Sequence, residues 1–349
     1  MKLTHIALTA CTILGGLAMA AGAAQARDLT IVSWGGSYQD GQREIYFKPF
    51  AKELGKPVLD ESWDGGYGVL QAKVKAGETN WDVVQVEAEE LELGCADGIY
   101  ENINWEQLGG KDKFIPAAVH DCGVGAIVWS TGIAYNGDTM KDAPKSWADF
   151  WDVKKFPGKR SLRKSAKYSL EFALIADGVA PKEVYDVLAT PEGVERAFKK
   201  LDEIKPHIVW WEAGAQPVQL LSSGEVVMAS VYNGRINALN RTENKNFGFV
   251  WPGSIYAVDS WAIMKGTPFP KESMDFIAFA SKADNQAKLP EYITYGLPNI
   301  EADKFVADKY RKDLPTTPAN MTDAASIGVE FWTDNSESLN QRFNAWLAQ

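Results

Sequence analysis

Two charged residues near strand ends are the first candidates for ligand recognition. Asp259 lies on a strand pattern, residues 255–263, whose other residues on the same face are apolar, and an unpaired carboxylate is costly to bury there. Arg235 follows the turn Tyr232-Asn233-Gly234, and its planar guanidinium suits a two-point hydrogen bond to a carboxylate. A ligand ammonium would give Asp259 a partner. The alternatives are an internal salt bridge or turn cap for Asp259 and a solvated surface position for Arg235.

Two further strand-to-helix junctions lie nearer the amino terminus. The strand at 31–33 is followed by Trp34, a Gly pair and Ser37, and we interpret Ser37 as a helix N-cap. The Gly pair would let the backbone approach a ligand, while Trp34 would form a wall. The segment 81–91 begins as a buried strand that turns polar at Gln85, which suits a ligand or a structural hydrogen bond equally. Glu87 favours the N-terminus of the helix that follows.

Four aromatic side chains lie near these junctions: Trp34, Tyr38, Tyr232 and Trp261. They could enclose an alkyl chain, and an aromatic face attracts a desolvated ammonium by about 0.5–2 kcal/mol. Each of them taken alone is more often a core residue. Ligands of open α/β sheets bind at the carboxyl ends of strands, where helix N-termini present free N–H groups. The four junctions together therefore predict a ligand-binding cleft.

Alternating strand and helix patterns position these residues. Short apolar segments rich in β-branched residues are separated by segments with a periodicity of about 3.6 residues. This alternation is typical of parallel sheets covered by helices on both faces, so the predicted class is α/β. The predicted strands are Leu29–Ser33, Val83–Val86, 124–129, 226–231 and 257–264.

Chain length and two long strand patterns predict two lobes. About 320 residues would remain after removal of an amino-terminal signal, more than one hydrophobic core usually holds. Extended strands at 125–136 and 254–264 bracket a block of about 120 residues, which indicates a second lobe inserted into the first, with these strands as a hinge. The predicted first lobe is 27–132 plus 257–349, and the second is 133–256. The helical tail from about residue 322 is expected to pack on the first lobe.

The first 26 residues have the layout of a cleavable secretory signal. One charge, Lys2, precedes an Ala-rich apolar run that is too short for a membrane helix and ends at Ala24-Gln25-Ala26. We therefore predict an exported, periplasmic protein whose mature chain begins at Arg27. The formal net charge of −10 argues against nucleic acid and anionic membranes as partners.

The remaining cysteines and histidines indicate structure rather than catalysis. Cys95 and Cys122 are predicted to form a disulfide closing a loop of about 27 residues, worth roughly 3 kcal/mol in the chain-entropy model; two free thiols are the alternative. After the signal only His120 and His207 remain, and no hydrolase elbow, zinc-binding helix or Walker loop is present. We predict no metal and no other cofactor. A secreted hydrolase that uses Asp259 and a glutamate is the alternative from the enzyme class.

Several of these motifs together resemble the spermidine/putrescine-binding periplasmic proteins, over essentially the whole mature chain. They are the segments 29–38, 81–84, 232–235 and 258–263. The resemblance implies a type II periplasmic-binding fold with a two-strand hinge, a monomer that closes on its ligand, and delivery to an inner-membrane ABC permease. It also implies that Asp259 holds an ammonium group, that Trp34 and Tyr38 belong to an aromatic wall, and that Tyr295 lines the site.

One position departs from the resemblance in a way that changes the expected ligand. Where the putrescine receptor has an aromatic residue, a small residue, Gly and Asp, this chain has Tyr232, Asn233, Gly234 and Arg235. A cation there repels one ammonium of a diamine in a closed, low-dielectric cleft. The predicted ligand is therefore a linear ω-amino acid such as γ-aminobutyrate or 5-aminovalerate.

Two other kinds of receptor are alternatives to this ligand. A polyamine receptor would need a second acid from Glu87, Glu212 or elsewhere. A ferric-ion receptor of related fold typically uses paired adjacent tyrosines, which this sequence lacks.

Overall fold

The computed structural model describes residues 27–77 and 80–349, so the predicted signal peptide lies outside the described residues. The strands are β1 (Leu29–Ser33), β2 (Val58–Ser62), β3 (Val83–Val86), β4 (Gly123–Asn136), β5 (Arg160–Arg163), β6 (Ile208–Trp211), β7 (Met228–Tyr232), β8 (Phe247–Ile263) and β9 (Ala325–Ser326). They form one mixed sheet in the order β2-β1-β3-β8-β4-β7-β5-β6, with β9 beside β8. The predicted bounds of β1 and β3 are confirmed, whereas β4 and β8 are longer than predicted.

Helices occupy the connections between the strands. None of the helices in the described ranges combines the length and apolar character needed to cross a membrane. The α-helices are α1 (Gly36–Gln42), α2 (Lys48–Leu54), α3 (Tyr67–Ala76), α4 (Ala88–Ala96), α5 (Trp147–Trp151), α6 (Ala166–Ala176), α7 (Val184–Leu188), α8 (Pro191–Ile204), α9 (Gln216–Ser222), α10 (Asn233–Thr242), α11 (Pro270–Ala280), α12 (Ala283–Gln286), α13 (Asp308–Arg311), α14 (Pro318–Met321) and α15 (Val329–Leu347). A π-helical turn, Arg43–Phe47, joins α1 to α2.

Two parallel groups of strands give the molecule its two lobes. Strand β1 pairs in parallel with β2 and β3, and we call this group with its helices the first lobe. Strand β5 pairs in parallel with β6 and β7, and this group with its helices is the second lobe. The predicted alternation of strands and helices is confirmed in both groups. The strands between them are antiparallel, a feature that periodicity does not reveal.

The long strands β4 and β8 connect the two lobes. They pair with each other along most of their length, with irregular register between Thr131 and Ile133. In β8 the residues 260–263 pair with β3 of the first lobe, and in β4 the residues 131–135 pair with β7 of the second. Both strands therefore pass from one lobe into the other, as a two-strand hinge requires. The exact lobe boundaries stay a prediction.

Local sequence signals explain individual elements, and α8 is a clear case. The side chain of Thr190 accepts a hydrogen bond from the Gly193 amide at the helix start, and Pro191 occupies the first turn, where its missing N–H costs nothing. The apolar residues recur at helical spacing and are buried against the rest of the second lobe: Val194, Ala197, Phe198, Leu201 and Ile204.

The predicted disulfide between Cys95 and Cys122 is confirmed. It joins the end of α4 to the residue before β4, with the Cα atoms 5.7 Å apart. The bond therefore ties a helix of the first lobe to one of the two connecting strands.

The expected packing of the C-terminal tail on the first lobe is confirmed for the contact of α15 with α4, but the tail also packs on the second lobe. The indole N–H of Trp332 donates to Glu171 of α6 at 2.7 Å, and that of Trp346 donates to Asp202 of α8 at 2.7 Å. Phe343 packs edge-on against Trp210 of β6, with 5.4 Å between ring centroids. Helix α15 thus packs on the second lobe and also reaches α4 of the first. Apolar periodicity shows that a helix face is buried but not which surface covers it.

The contact of α15 with Glu171 places an acid in the core. Glu171 is fully buried. One carboxyl oxygen accepts hydrogen bonds from Tyr185 at 2.8 Å and Trp332 at 2.7 Å, while the other has no partner among residues 27–77 and 80–349. Burial raises the pKa of Glu171 to about 7. The two partners of Glu171 are neutral donors and none is a cation, so burial favours the protonated form of the carboxyl.

We predict that Glu171→Gln removes a pH-dependent part of the stability. The folded-state pKa lies above the ordinary value of 4.5. The contribution of Glu171 to stability is therefore fully present below pH 4.5. Up to ~3 kcal/mol of the free energy of unfolding is lost as the pH rises to about 7. The amide stays neutral, so the melting temperature of the variant should gain on wild type between pH 5 and 8. The exposed Glu330→Gln on α15 is the control, and equal pH profiles for wild type and Glu171→Gln would contradict the prediction.

Candidate functional site

A cavity of about 40 Å³ lies between the two lobes. Strand ends and helix starts of both lobes contribute to its wall, as expected for an open α/β sheet. The lining residues are Trp34, Tyr38, Trp63, Asp64, Glu87, Ile127, Trp129, Arg163, Glu212, Gly214, Tyr232, Arg235, Asp259 and Tyr295.

Asp259 is a buried acid in this cavity. It lies on β8, is 3% exposed, and accepts a hydrogen bond from the Trp129 indole N–H at 2.5 Å. Burial raises the pKa of Asp259 well above its ordinary value, nearby Glu87 raises it further, and the bond from Trp129 lowers it. No lysine or arginine of the described chain forms an ion pair with Asp259. Burial without a cationic partner favours the protonated carboxyl, and a cationic group that entered the cavity would favour the carboxylate.

Arg235 is a buried cation in the same cavity. It lies in the first turn of α10 and crosses to the first lobe, where it donates to the carbonyl oxygens of Trp34 at 3.0 Å and Gly35 at 3.3 Å. Its Nε has no hydrogen-bond partner in the part of the chain that the structure describes. Gly36, with φ +59°, leaves room for this guanidinium, because a Cβ there would lie 2.7 Å from Nη1. A guanidinium nitrogen therefore remains available to an anion.

Aromatic rings surround the two charged groups. Trp34 stacks on Trp63 with centroids 5.3 Å apart, and Tyr232 meets Trp129 edge-on at 5.1 Å. The Trp34 indole N–H is buried near Asp259 but outside hydrogen-bond geometry, and it has no other partner among the described residues. The cavity thus combines apolar walls with two N–H donors that lack an acceptor among the described residues, on Trp34 and Arg235, and one buried acid that lacks a cationic partner there, Asp259.

Glu87 is the other buried acid of the cavity, and it is fully paired. It accepts from Arg163 at 3.1 Å, from the hydroxyl of Tyr168 at 3.2 Å, and from the ammonium of Lys167. Burial raises the pKa of Glu87, but Lys167 and Arg163 outweigh it and lower the pKa to about 2. The donors belong to the second lobe and Glu87 to the first, so the group bridges the lobes.

Comparison with known proteins decides the family. Residues 56–319 match the model of the bacterial extracellular solute-binding proteins. The chain is also 47% identical over 335 residues to the gamma-aminobutyric acid-binding protein of Pseudomonas aeruginosa, covering 96% of this chain and 95% of that protein. This chain belongs to the bacterial extracellular solute-binding protein family.

Solved structures support the same family and fold. The solute-binding protein resembles the structure of the Atu4243-GABA receptor, with 36% identity, a TM-score of 0.81, and coverage of 93% and 98% of the two chains. It also resembles MotA from A. tumefaciens B6 in complex with glucopine, with 30% identity, a TM-score of 0.86, and coverage of 92% and 100%. The predicted two-lobed type II fold is confirmed. The family and these relatives bind solutes and are not enzymes, which confirms the prediction of a non-enzymatic binding protein.

The polyamine receptors to which the sequence motifs point are more distant. The spermidine/putrescine-binding periplasmic protein of Escherichia coli is 24% identical over 337 residues, with coverage of 92% and 91%. The predicted relationship to the solute-binding proteins, which include these polyamine receptors, is confirmed.

The cavity of the solute-binding protein brings together six of the nine predicted ligand residues: Trp34, Tyr38, Tyr232, Arg235, Asp259 and Tyr295. They come from both lobes and meet at the predicted strand-to-helix junctions. Their roles toward a ligand stay a prediction.

The other three predicted residues lie outside the cavity. Ser37 is exposed, and the N-cap of α1 is Gly35 rather than Ser37. Gln85 is fully buried and accepts from the Tyr38 hydroxyl at 2.9 Å, so its polar group serves the fold. Trp261 is buried in the core of the first lobe, on the apolar side of α11. These residues share strands or turns with the site, but the direction of their side chains takes them elsewhere.

Several lining residues were not identified from the sequence: Trp63, Asp64, Ile127, Trp129, Arg163 and Gly214. Arg163 carried a usable signal, since it ends β5 just before a helix, as Tyr232 ends β7. Trp129 lies inside the long strand β4, where nothing local separates a ligand-facing tryptophan from a core one. Its role became visible only through its bond to Asp259.

One group of side chains in the described chain has the composition of a metal site. Cys95, His120 and Cys122 have ligand atoms within 4.8 Å of one another. The two sulfurs are joined in the disulfide, so neither is a thiolate, which is the form that binds zinc. The group lies apart from the lining of the ligand cavity.

We predict that Asp259→Asn stabilises the ligand-free protein. The substitution keeps an oxygen for the Trp129 N–H and removes the cost of a buried acid without a cation. The free energy of unfolding at pH 8 should rise by about 1 kcal/mol or more, measured by chemical denaturation of ligand-stripped protein. Asp121→Asn, at an exposed position, is the control. A less stable Asp259→Asn variant would show that the carboxylate already has an internal partner.

Proposed function

We propose that this protein is the periplasmic binding component of an ABC importer for a short linear ω-amino acid, with γ-aminobutyrate as the best-fitting ligand. The observation that carries the proposal is the presence of a buried acid without an ion-pair partner in the described chain, Asp259, and a buried cation without a carboxylate partner there, Arg235, in a single cavity. A ligand with an ammonium at one end and a carboxylate at the other would satisfy both. The signal predicted in residues 1–26 supports the periplasmic location.

The shape of the cavity supports a short and largely apolar ligand body. About 40 Å³ of space, enclosed by rings such as Trp34 and Tyr232, suits a few methylene groups better than a long chain. A relative with 47% identity and a neighbouring structure with 36% identity carry γ-aminobutyrate in their names, which supports this ligand for the present chain.

The distribution of charge disfavours the alternative of a diamine. A diamine needs a second anionic partner, but Glu87 is already paired with Arg163 and Lys167. The other two acids of the lining, Asp64 and Glu212, are exposed to solvent, and Glu212 is paired with Lys164 at 2.7 Å. The polyamine-binding relatives are also the more distant ones, at 24% identity for the protein of Escherichia coli.

The proposed mechanism is closure of the lobes around the ligand. Asp259 lies on β8, which connects the lobes, whereas Arg235 belongs to the second lobe and also contacts the backbone of Trp34 in the first. A ligand that engages both charged groups stabilises the closed arrangement relative to an open one, because only the closed form offers both. The closed protein would then be recognised by an inner-membrane permease. The proposed oligomeric state is a monomer.

We predict that Arg235→Ala weakens γ-aminobutyrate binding by tenfold or more, since a hydrogen bond to a charged group contributes about 1.5–3 kcal/mol. Calorimetric titration of ligand-stripped protein with γ-aminobutyrate and with putrescine measures this. Arg241→Ala, at an exposed position on the same helix α10, is the matched control. Binding of putrescine alone would overturn the zwitterion proposal.

We also predict that γ-aminobutyrate binding releases a proton. The pKa of Asp259 in the ligand-free cavity is raised by burial, and an ammonium that pairs with the carboxylate lowers it again. Affinity should therefore rise with pH while Asp259 is protonated in the free protein. Titrations at pH 6 in buffers of different ionisation enthalpy count the proton. Asp259→Asn should bind more weakly and release none; release by that variant would assign the proton to another group.

A further inference from the structure

Lys167 is a buried lysine at the edge of the ligand cavity. It belongs to α6 of the second lobe, its side chain is 9% exposed, and its ammonium pairs with both Glu87 and Glu89 of the first lobe. Glu87 lines the cavity together with Asp259. Glu87, Glu89 and Lys167 also line an outer polar groove of about 970 Å³. Glu87 thus lines the cavity and at the same time pairs with the Lys167 ammonium.

The charges around Glu87 balance. Two carboxylates, Glu87 and Glu89, face two cations, Lys167 and Arg163. These four ion-paired side chains sum to zero charge. Without Lys167 the same group would carry one net negative charge. The neighbouring Glu90 is also buried, accepts from the backbone amides of Gly66 and Glu87, and has its pKa raised to about 7 by burial and by Glu87 and Glu89.

The backbone breaks its helical path at Lys167, next to a residue in an uncommon conformation. The chain leaves the helical path at Lys167, with φ −60° and ψ 133°, and Tyr168 adopts φ 72°, which is rare for a residue with a side chain. Tyr168 also donates a hydrogen bond to Glu87 at 3.2 Å and packs edge-on against Trp129 at 5.7 Å. Such strain persists where the surrounding contacts fix it, often at functional sites.

We propose that Lys167 determines ligand specificity. Its tethered ammonium occupies the carboxylates that the second ammonium of a diamine would need, so that the site accepts one ammonium on Asp259 and rejects a second. This inference rests on the proposed function and extends it to a residue that touches the ligand only through Glu87. A diamine entering the cavity would have to compete with a cation that is already buried and paired.

The test compares γ-aminobutyrate with putrescine, which differ in one terminal group. Lys167→Met keeps the length of the side chain and removes its charge. The ratio of the putrescine Kd to the γ-aminobutyrate Kd should fall by roughly tenfold or more, as expected for one unpaired charge in a low-dielectric site. Lys199→Met is the control: it removes the same charge from an exposed position on α8 of the second lobe, away from the acids that line the cavity, and should leave the ratio as in wild type.

A double variant separates charge from packing. Lys167→Met with Glu89→Gln restores the charge balance and should return the Kd ratio to within about threefold of wild type. If Lys167→Met does not fold, as judged by thermal melting, Lys167→Gln makes the same charge change while its amide can still donate to a carboxylate.

An unchanged ratio in the folded single variant, an equal shift in Lys199→Met, or a persisting shift in the double variant would overturn the inference. If wild type binds γ-aminobutyrate and Lys167→Met has the same Kd ratio as wild type, the role of Lys167 is refuted and the proposed function stands. Wild type that does not bind γ-aminobutyrate would refute the proposed function, and the inference with it.

Discussion

Burial of unpaired charge is the constraint on which the rest of this structure depends. Asp259 and Arg235 are almost fully removed from water, and neither forms an ion pair within the described chain. Desolvation of an ion costs several kcal/mol, and at these two positions the fold supplies hydrogen bonds but no opposite charge to offset it. The fold must therefore be stable enough elsewhere to carry this cost, and a ligand of matching charge is the natural partner that removes it.

Each lobe meets that requirement with its own packing. In the second lobe, helix α15 donates one indole N–H to the buried Glu171 and another to the exposed Asp202, and burial raises the pKa of Glu171 to about 7. In the first lobe, the disulfide fastens α4 to the start of β4. The lobes are joined through β4 and β8, so the cleft can change while the lobes keep their cores.

The pKa of Glu87, another buried acid, is shifted in the opposite direction from that of Asp259. There, Arg163 and Lys167 supply the cations, and the pKa of Glu87 falls to about 2, whereas burial raises that of Asp259. Two acids in one cavity thus differ because one has internal partners and the other has none. A cavity with this asymmetry recognises a ligand by how many of its ends are positive, not only by its length.

The sequence by itself predicted β1, β3, β4, β7 and β8, the lobes' α/β character, the disulfide and the charges of Asp259 and Arg235, because periodicity and residue chemistry are local properties. Only the tertiary structure decided that Gln85 and Trp261 serve the fold, that α15 packs on the second lobe, and that Lys167 neutralises Glu87. Local sequence patterns indicate that a side chain is buried or needs a partner. The partner is set by residues distant in the chain, which meet only when the two lobes come together.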